Sequence, residues 1–228
     1  TMGASVASGS LSIVANAFIF ALIPTMVIVS VSKMKNASPT VLIMAGIAVM
    51  YIFNAMSTIL KLWSDPEALS ALYRWQVGTL GGIGWDSVEI MLAFTTIGCI
   101  ISMLLSRELN LLSAGDENAR ALGIDAEKMR ILCFVVVALM SASIVSFTGL
   151  IGFVGLVAPH VVRLFIGADN KYLIPASAFF GAALLVVSDI IGRTALSPTI
   201  LQVGVVTAFL GGPLFLWLII RKDTKVWG

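Results

Sequence analysis

The sequence has little charge, little cysteine and almost no histidine, and each shortage excludes a class of protein. Charged residues make up 11% of the 228 residues, against 59% hydrophobic residues, whereas a soluble globular domain carries about 25% charged residues. A single histidine cannot build a metal site, so neither a metal nor another cofactor is expected. The two cysteines, Cys99 and Cys133, both lie inside apolar runs, where a free thiol acts as a small packing residue.

Catalytic and nucleotide-binding motifs are also missing from the sequence. It contains no phosphate-binding loop of the form G-x-x-x-x-G-K-[ST], no H-E-x-x-H and no G-x-S-x-G, so we expect a protein that is not an enzyme and does not itself hydrolyse ATP. No basic run exceeds two residues and the net charge is only +2, which excludes a nucleic-acid-binding surface.

Seven long apolar segments fill most of the chain. They lie approximately at residues 11–31, 41–60, 87–105, 131–148, 151–166, 173–191 and 199–220. Because a helix needs roughly 20 residues to cross the hydrocarbon of a bilayer, the predicted fold is an all-α integral membrane protein, a polytopic bundle of about seven transmembrane helices. The fifth segment is short and carries Pro159, His160 and Arg163, so we expect it to be broken or surrounded by other helices.

A polar segment, residues 107–130, interrupts the apolar runs. It holds nine of the chain's 26 charged residues and must lie outside the hydrocarbon, since each buried charge costs several kcal/mol. We expect Ser113 or Asp116 to cap a short helix that Gly123 ends, and Asp125 to cap the next helix. The predicted organisation is one transmembrane domain, 1–228, with this segment as a structured loop and a second connection at 61–86.

The distribution of basic residues predicts the orientation of the chain. If the first apolar segment runs inward, three basic residues fall outside, Lys61, Arg74 and Arg193. Eleven fall inside: Lys33, Lys35, Arg107, Arg120, Lys128, Arg130, Arg163, Lys171, Arg221, Lys222 and Lys225. The polar segment and the C-terminus are therefore predicted to lie in the cytoplasm, and the protein in the cell (inner) membrane.

Polar residues within the apolar segments allow two interpretations each. Asp189 and Arg193 are four residues apart and share a helix face, so that either they pair with each other or Arg193 points outward to an anionic partner. The second segment carries one polar stripe, which either bonds to a neighbouring helix or lines a water-filled path. Its members are Asn54, Ser57, Thr58 and Lys61.

Two further features have a structural interpretation and a functional alternative. His160 follows a proline and is interpreted as a hydrogen-bonded residue at a helix break, with a proton relay or a ligand contact as the alternative. The connection 61–86 carries four aromatic residues that suit anchoring at the membrane interface, with a docking surface as the alternative: Trp63, Tyr73, Trp75 and Trp85.

Five sequence blocks occur in an order that resembles a known family. They are LIMAG at 42–46, LGGIGW at 80–85, LNLLSAGDENARALGI at 109–124, GFVGLVAPH at 152–160, and the final apolar segment. The region 41–222 resembles the FecCD family of ATP-binding cassette (ABC) importer permeases, which carry iron–siderophore complexes, haem or cobalamin. The resemblance implies a fold of about ten transmembrane helices, of which this chain would supply the last seven.

The resemblance also implies partners. It implies a second permease copy in a homodimer, ATP-binding cassette ATPase subunits on the cytoplasmic side, and a periplasmic or lipid-anchored substrate-binding protein, all in the lipid bilayer and without nucleic acid. Motion of the ATPases would then switch the permease between inward-open and outward-open states. An ion-gradient-driven secondary transporter and a non-transporting membrane scaffold are the alternatives to this interpretation.

Positions that match the family's motifs acquire expected roles. Arg193, in DIIGR, is expected to dock the binding protein, and Asn54 and Ser57 to line the translocation path. Ser38, Pro39 and Thr40 match the cytoplasmic gate, whereas His160 remains structural. Eight residues of the polar segment are expected to contact the ATPase: Leu112, Ala114, Gly115, Asp116, Glu117, Arg120, Leu122 and Gly123.

Overall fold

The computed structural model describes residues 10–32 and 39–220, and these residues form helices without any strand. In chain order the helices are α1 (Ser10–Ser32), α2 (Pro39–Leu62), α3 (Pro66–Gln76), α4 (Trp85–Leu104), α5 (Ser106–Ser113), α6 (Asp116–Ala121), α7 (Ala126–Thr148), α8 (Val154–Ile166), α9 (Asn170–Thr194) and α10 (Val203–Ile220). Each of the seven predicted apolar segments contains a helix, which confirms the all-α prediction.

The apolar helices differ in whether they can cross a membrane by length and composition. Four candidate spans are long enough: Thr40–Leu62, Trp85–Leu104, Ala126–Thr148 and Asn170–Thr194. Three apolar stretches are shorter: Ile19–Val31, Val154–Ile166 and Val203–Trp217. Ile19–Val31 lies within the 23-residue helix α1 and Val203–Trp217 within the 18-residue helix α10. Helix α8 itself has only 13 residues, which at 1.5 Å per residue rise about 20 Å.

The described residues divide into two compact units. Unit 1 comprises 10–32, 39–73 and 84–147, and in it α1 packs against α2 and α5 against α6. Unit 2 comprises 74–83 and 148–220, and in it α8, α9 and α10 pack against one another. The polar segment belongs to unit 1, whereas Arg193 and His160 belong to unit 2.

Helix α8 confirms the expectation for the short fifth segment. Residues 149–153 are not helical, and α8 covers only Val154–Ile166. Val157, Ala158 and Val162 are buried on the face that packs against other helices. Phe153 precedes α8 with φ of 66°, a left-handed conformation that is strained for a bulky residue. The irregular entry lies against α10, since a Cβ placed on Gly211 would come within 2.9 Å of Phe153 Cγ.

Glycines in unit 2 differ in how closely neighbouring groups approach them. Gly149 and Gly152 lie in the non-helical entry to α8, and nothing approaches a Cβ placed on Gly155. Gly149 nevertheless packs closely, because a Cβ placed on it would lie 3.3 Å from the Gly78 Cα and closer still to the Trp75 carbonyl oxygen. Close helix packing also occurs at Gly181 in α9, where a Cβ would meet Val154 Cγ1 at 3.4 Å.

The connection 61–86 contains a helix, α3, that the sequence analysis did not predict. Asp65 caps it by accepting a hydrogen bond of 2.8 Å from the Ala68 backbone N–H, and Pro66 occupies the first helical position, where proline is favoured. The Lys61 ammonium lies 5.3 Å from the Tyr73 ring centroid, a cation–π contact. Trp63 is 81% exposed, consistent with a role at an interface.

Candidate functional site

The polar segment is a chain of short helices rather than a loop. Leu105 is the only residue between α4 and α5, and α5 continues to Ser113. A two-residue turn, Ala114 and Gly115, leads into α6, and a second turn leads into α7 at Ala126. The eight residues expected to contact an ATPase all fall within this one stretch, because α5, α6 and their turns are contiguous.

The turn into α6 depends on glycine and on one asparagine. Gly115 has φ of 110° and ψ of 150°, a region that is essentially restricted to glycine. The Asn118 side-chain amide donates to the Ala114 carbonyl at 2.7 Å, and the Ala119 N–H donates to the Gly115 carbonyl at 3.0 Å. These bonds fix the direction in which α6 leaves α5.

The predicted cap of α6 was wrong. The N-cap is Gly115, and no side chain caps this helix. The Ser113 hydroxyl instead donates to the Asn110 carbonyl at 2.7 Å within α5. Asp116 is the first residue of α6, where its negative charge still favours the helix dipole. The sequence placed a capping residue type close to the start of α6, but the glycine turn moved the start past Ser113.

An ion pair connects the start of α6 to α7. The Arg130 guanidinium donates from Nη2 to Asp116 Oδ1 at 2.6 Å, and the two side chains are 30% and 38% exposed. Fourteen residues separate the partners, so no helical spacing rule predicts the pair. Asp116 was expected as a helix cap or as a partner-facing residue, not as part of an ion pair. The ion pair gives it a second role, since it fixes α6 against the first turns of α7.

The end of α6 is as predicted. Gly123 has φ of 83°; its N–H donates to the Arg120 carbonyl at 2.9 Å, and the Ile124 N–H donates to the Ala119 carbonyl at 2.9 Å. This is the Schellman arrangement that ends many helices at a glycine. Ala119 is fully buried, so the turn closes over a small apolar contact.

The start of α7 is also as predicted. The Asp125 carboxylate accepts a hydrogen bond of 3.1 Å from the Lys128 backbone N–H, and its other oxygen lies 3.1 Å from the Lys128 ammonium. The backbone bond, followed by the ammonium, lowers the pKa of Asp125 below its ordinary value of 3.8. Asp125 therefore remains ionised at neutral pH and continues to cap α7.

One face of the polar segment remains uncovered in unit 1. Leu122 is 64% exposed, which is unusual for a leucine beside charged side chains, and it is not part of the apolar spans. Glu117, Arg120 and Gly123 are also exposed in the same segment, while Leu112 and Asp116 are half-buried. The segment therefore exposes an apolar side chain together with side chains of both charge signs, a combination typical of a protein-binding surface.

The other candidate residues lie elsewhere. In unit 2, Arg193 Nε donates to Asp189 Oδ2 at 2.7 Å within α9, which favours the internal pair, although the Arg193 side chain is still 52% exposed. His160 Nδ1 lies 2.7 Å from the Leu156 carbonyl oxygen, and its ring meets Phe215 edge to face at 5.9 Å. Both contacts support the structural interpretation of His160.

The expected gate and path residues belong to α2 and the residue before it. Ser38 lies outside the described residues, and Pro39 begins α2. Thr40 and Asn54 are exposed in unit 1, and Ser57 is half-buried. Helix α2 packs against α1, and Asn54 on its polar stripe is exposed within unit 1. Within the described residues, no cluster of three or more histidine, cysteine or acidic side chains could hold a metal ion.

Comparisons with known proteins identify the family of the chain. The hemin transport system permease protein HmuU of Yersinia pestis is 36% identical over 90% of this chain and 62% of its own length. The cobalamin import system permease protein BtuC of Halobacterium salinarum is 38% identical over 92% of this chain and 56% of its own length. This chain thus spans about three fifths of the length of these relatives.

A solved structure agrees with the sequence comparison. An inward-facing structure of an ABC transporter assigned to the metal-chelate type superposes with a TM-score of 0.76 at 28% identity, covering 92% of this chain and 63% of the other. Its helical membrane fold matches that of the described helices. The model of the FecCD transport family matches residues 2–221. The chain is therefore a multi-pass membrane protein that belongs to the FecCD transport family.

Proposed function

We propose that this chain is a permease subunit of an ABC importer that takes up an iron chelate, haem or a cobalamin. Relatives described as hemin and cobalamin permeases and a structural relative of the metal-chelate type support this substrate class. The chain itself provides the membrane path, and ATP hydrolysis takes place on separate ATPase subunits. A substrate-binding protein and a second permease copy complete the proposed importer.

The polar segment is the observation that carries the proposal. A segment that transmits closure of the ATPases to the membrane helices must be rigid and must expose a surface that an ATPase subunit can bind. Rigidity is supplied by the glycine turn at Gly115, by the Asp116–Arg130 ion pair of 2.6 Å and by the capped start of α7. Leu122, Glu117 and Arg120 form the exposed surface, which we assign to the ATPase on the cytoplasmic side.

Movement of the ATPases would pass through α6 into α7 because the ion pair and the short turns leave little freedom between them. Differential contacts at the polar segment would then shift the balance between inward-open and outward-open states of the permease. In the same proposal Asn54 and Ser57 line the path, and Arg193 meets the binding protein on the outer side. The short distance between Arg193 and Asp189 means that docking would require Arg193 to exchange or share that partner.

Co-purification with the cognate ATPase tests the coupling assignment. We expect Arg120→Glu and Leu122→Asp each to weaken ATPase binding by at least about tenfold, or about 1.4 kcal/mol. Arg74→Glu is the matched control, since Arg74 is an exposed arginine in α3 that the proposal places on the outer side. If the two polar-segment variants bind the ATPase as tightly as the control does, the assignment is wrong.

Cysteine labelling tests the orientation separately. With Cys99 and Cys133 replaced by alanine, Ser113→Cys in intact cells should react with a membrane-impermeant maleimide only after the cells are opened. Ser70→Cys, in the exposed face of α3, should react from the outside without opening. The reverse pattern would invert the orientation and remove the polar segment from the reach of any cytoplasmic ATPase.

A further inference from the structure

The turn between α8 and α9 brings basic and aromatic side chains together at one end of unit 2. Arg163 lies in the last turn of α8, and Lys171 lies in the first turn of α9. Three residues separate the two helices. Beside them Phe165 is 82% exposed and Tyr172 is 57% exposed. None of these four side chains takes part in the proposed coupling, docking or path.

The Arg163 guanidinium lacks an anionic partner among the described residues. Its Nε is buried and has no hydrogen-bond partner among the described residues. The three ion pairs found among those residues do not include Arg163. The nearest acid along the chain, Asp169, accepts a hydrogen bond of 3.0 Å from the Lys171 backbone N–H and caps α9. A partly desolvated guanidinium is costly unless a negatively charged group compensates for its lost water.

The net charge of the turn and its aromatic neighbours indicate which class of anion would bind there. Arg163, Asp169 and Lys171 leave one net positive charge at the turn, and the Lys171 ammonium lies 5.5 Å from the Tyr172 ring centroid. Basic and aromatic side chains side by side are typical of the level at which lipid headgroups meet hydrocarbon. Basic sites between transmembrane helices bind anionic headgroups, whereas a soluble anion would gain nothing from the exposed Phe165.

We propose that the α8–α9 turn binds the phosphate of one anionic phospholipid. Arg163 and Lys171 donate hydrogen bonds to the phosphate oxygens, and Phe165 and Tyr172 lie at the boundary of the acyl chains. Bound lipid would add a bridge between the end of α8 and the start of α9, which the three-residue turn connects. The inference does not depend on the transported substrate or on an ATPase partner.

Native mass spectrometry of the detergent-purified chain, titrated with phosphatidylglycerol or phosphatidylcholine, tests the proposal. Phosphatidylglycerol should bind at least about fivefold more tightly than phosphatidylcholine, and Arg163→Gln or Lys171→Gln should each weaken its binding about fivefold, the effect of one basic residue at a membrane surface. Arg163→Lys should retain most of the binding. Arg74→Gln, which removes an exposed arginine from α3, is the control and should leave binding unchanged.

Several results would overturn the proposal. Equal affinity for the two lipids would do so, as would undiminished phosphatidylglycerol binding by Arg163→Gln and Lys171→Gln. Displacement of phosphatidylglycerol by millimolar inorganic phosphate would identify a simple anion site instead. If Arg163→Gln or Lys171→Gln lost ATPase binding but kept phosphatidylglycerol binding, the turn would be a protein contact rather than a lipid site. If Arg163→Gln does not fold, the test uses Lys171→Gln and Phe165→Ser, which replace exposed residues. Undiminished phosphatidylglycerol binding by both of these variants would overturn the proposal.

Discussion

The Asp116–Arg130 ion pair should stabilise α6 measurably, and a double-mutant cycle can isolate its contribution. The two atoms lie 2.6 Å apart, and about a third of each side chain is exposed. Two unit charges at about 4 Å attract by about 4 kcal/mol at an effective dielectric constant of about 20, but exposed pairs retain only about 0.2–1 kcal/mol after screening and loss of side-chain entropy. We therefore expect a coupling energy of about 1 kcal/mol.

Hydrogen exchange of the α6 amides is the appropriate assay, because the pair affects a local opening rather than the whole fold. Asp116→Asn and Arg130→Gln should each speed exchange in α6 about fivefold, the factor that corresponds to about 1 kcal/mol. The double variant should be scarcely worse than either single variant. High salt should reduce the difference, since the pair is partly exposed.

The Lys128–Asp125 pair supplies the internal control. Its side chains are 84% and 50% exposed, so its coupling energy in the same cycle should be smaller than that of the Asp116–Arg130 pair. Additive effects of Asp116→Asn and Arg130→Gln would refute the reasoning. So would a coupling energy equal to that of the more exposed pair, because burial would then have no bearing on the strength of the contact.

Two further predictions concern packing and pH. Gly211→Ala should destabilise unit 2 by about 1–3 kcal/mol, because the new Cβ would lie 2.9 Å from Phe153 Cγ. Gly212→Ala should be tolerated, because its Cβ would lie 4.0 Å from Phe153 Cζ. Equal melting temperatures of the two variants would contradict this account. Since hydrogen bonds from Lys128 lower the pKa of Asp125 below 3.8, its cap is complete above that pH and is lost as the pH falls through the lowered pKa. Exchange protection in the first turn of α7 should therefore stay constant from about pH 8 to 5 and fall only below about pH 4; Asp125→Asn, which still caps, should show no such fall.

The sequence by itself was sufficient to predict the helical membrane class, because apolar runs of this length have no other low-energy arrangement of their backbone groups in lipid. It also predicted the ends of helices wherever the cause is local. Asp125 caps α7 through a residue three positions away, and Gly123 ends α6 through bonds within one turn. The five ordered sequence blocks were likewise sufficient to indicate the family.

The tertiary structure decided every feature that depends on residues distant in the sequence or on a choice among nearby ones. Only the placement of α6 brings Asp116 to Arg130, fourteen residues away, and only the turn at Gly115 moves the start of α6 past Ser113. Likewise, Gly149 lies in the non-helical entry to α8, where only the fold brings the Gly78 backbone within 3.3 Å of the position that a Cβ would occupy. Local propensity predicts helices and their caps, whereas pairing between helices follows from where the folded chain places them.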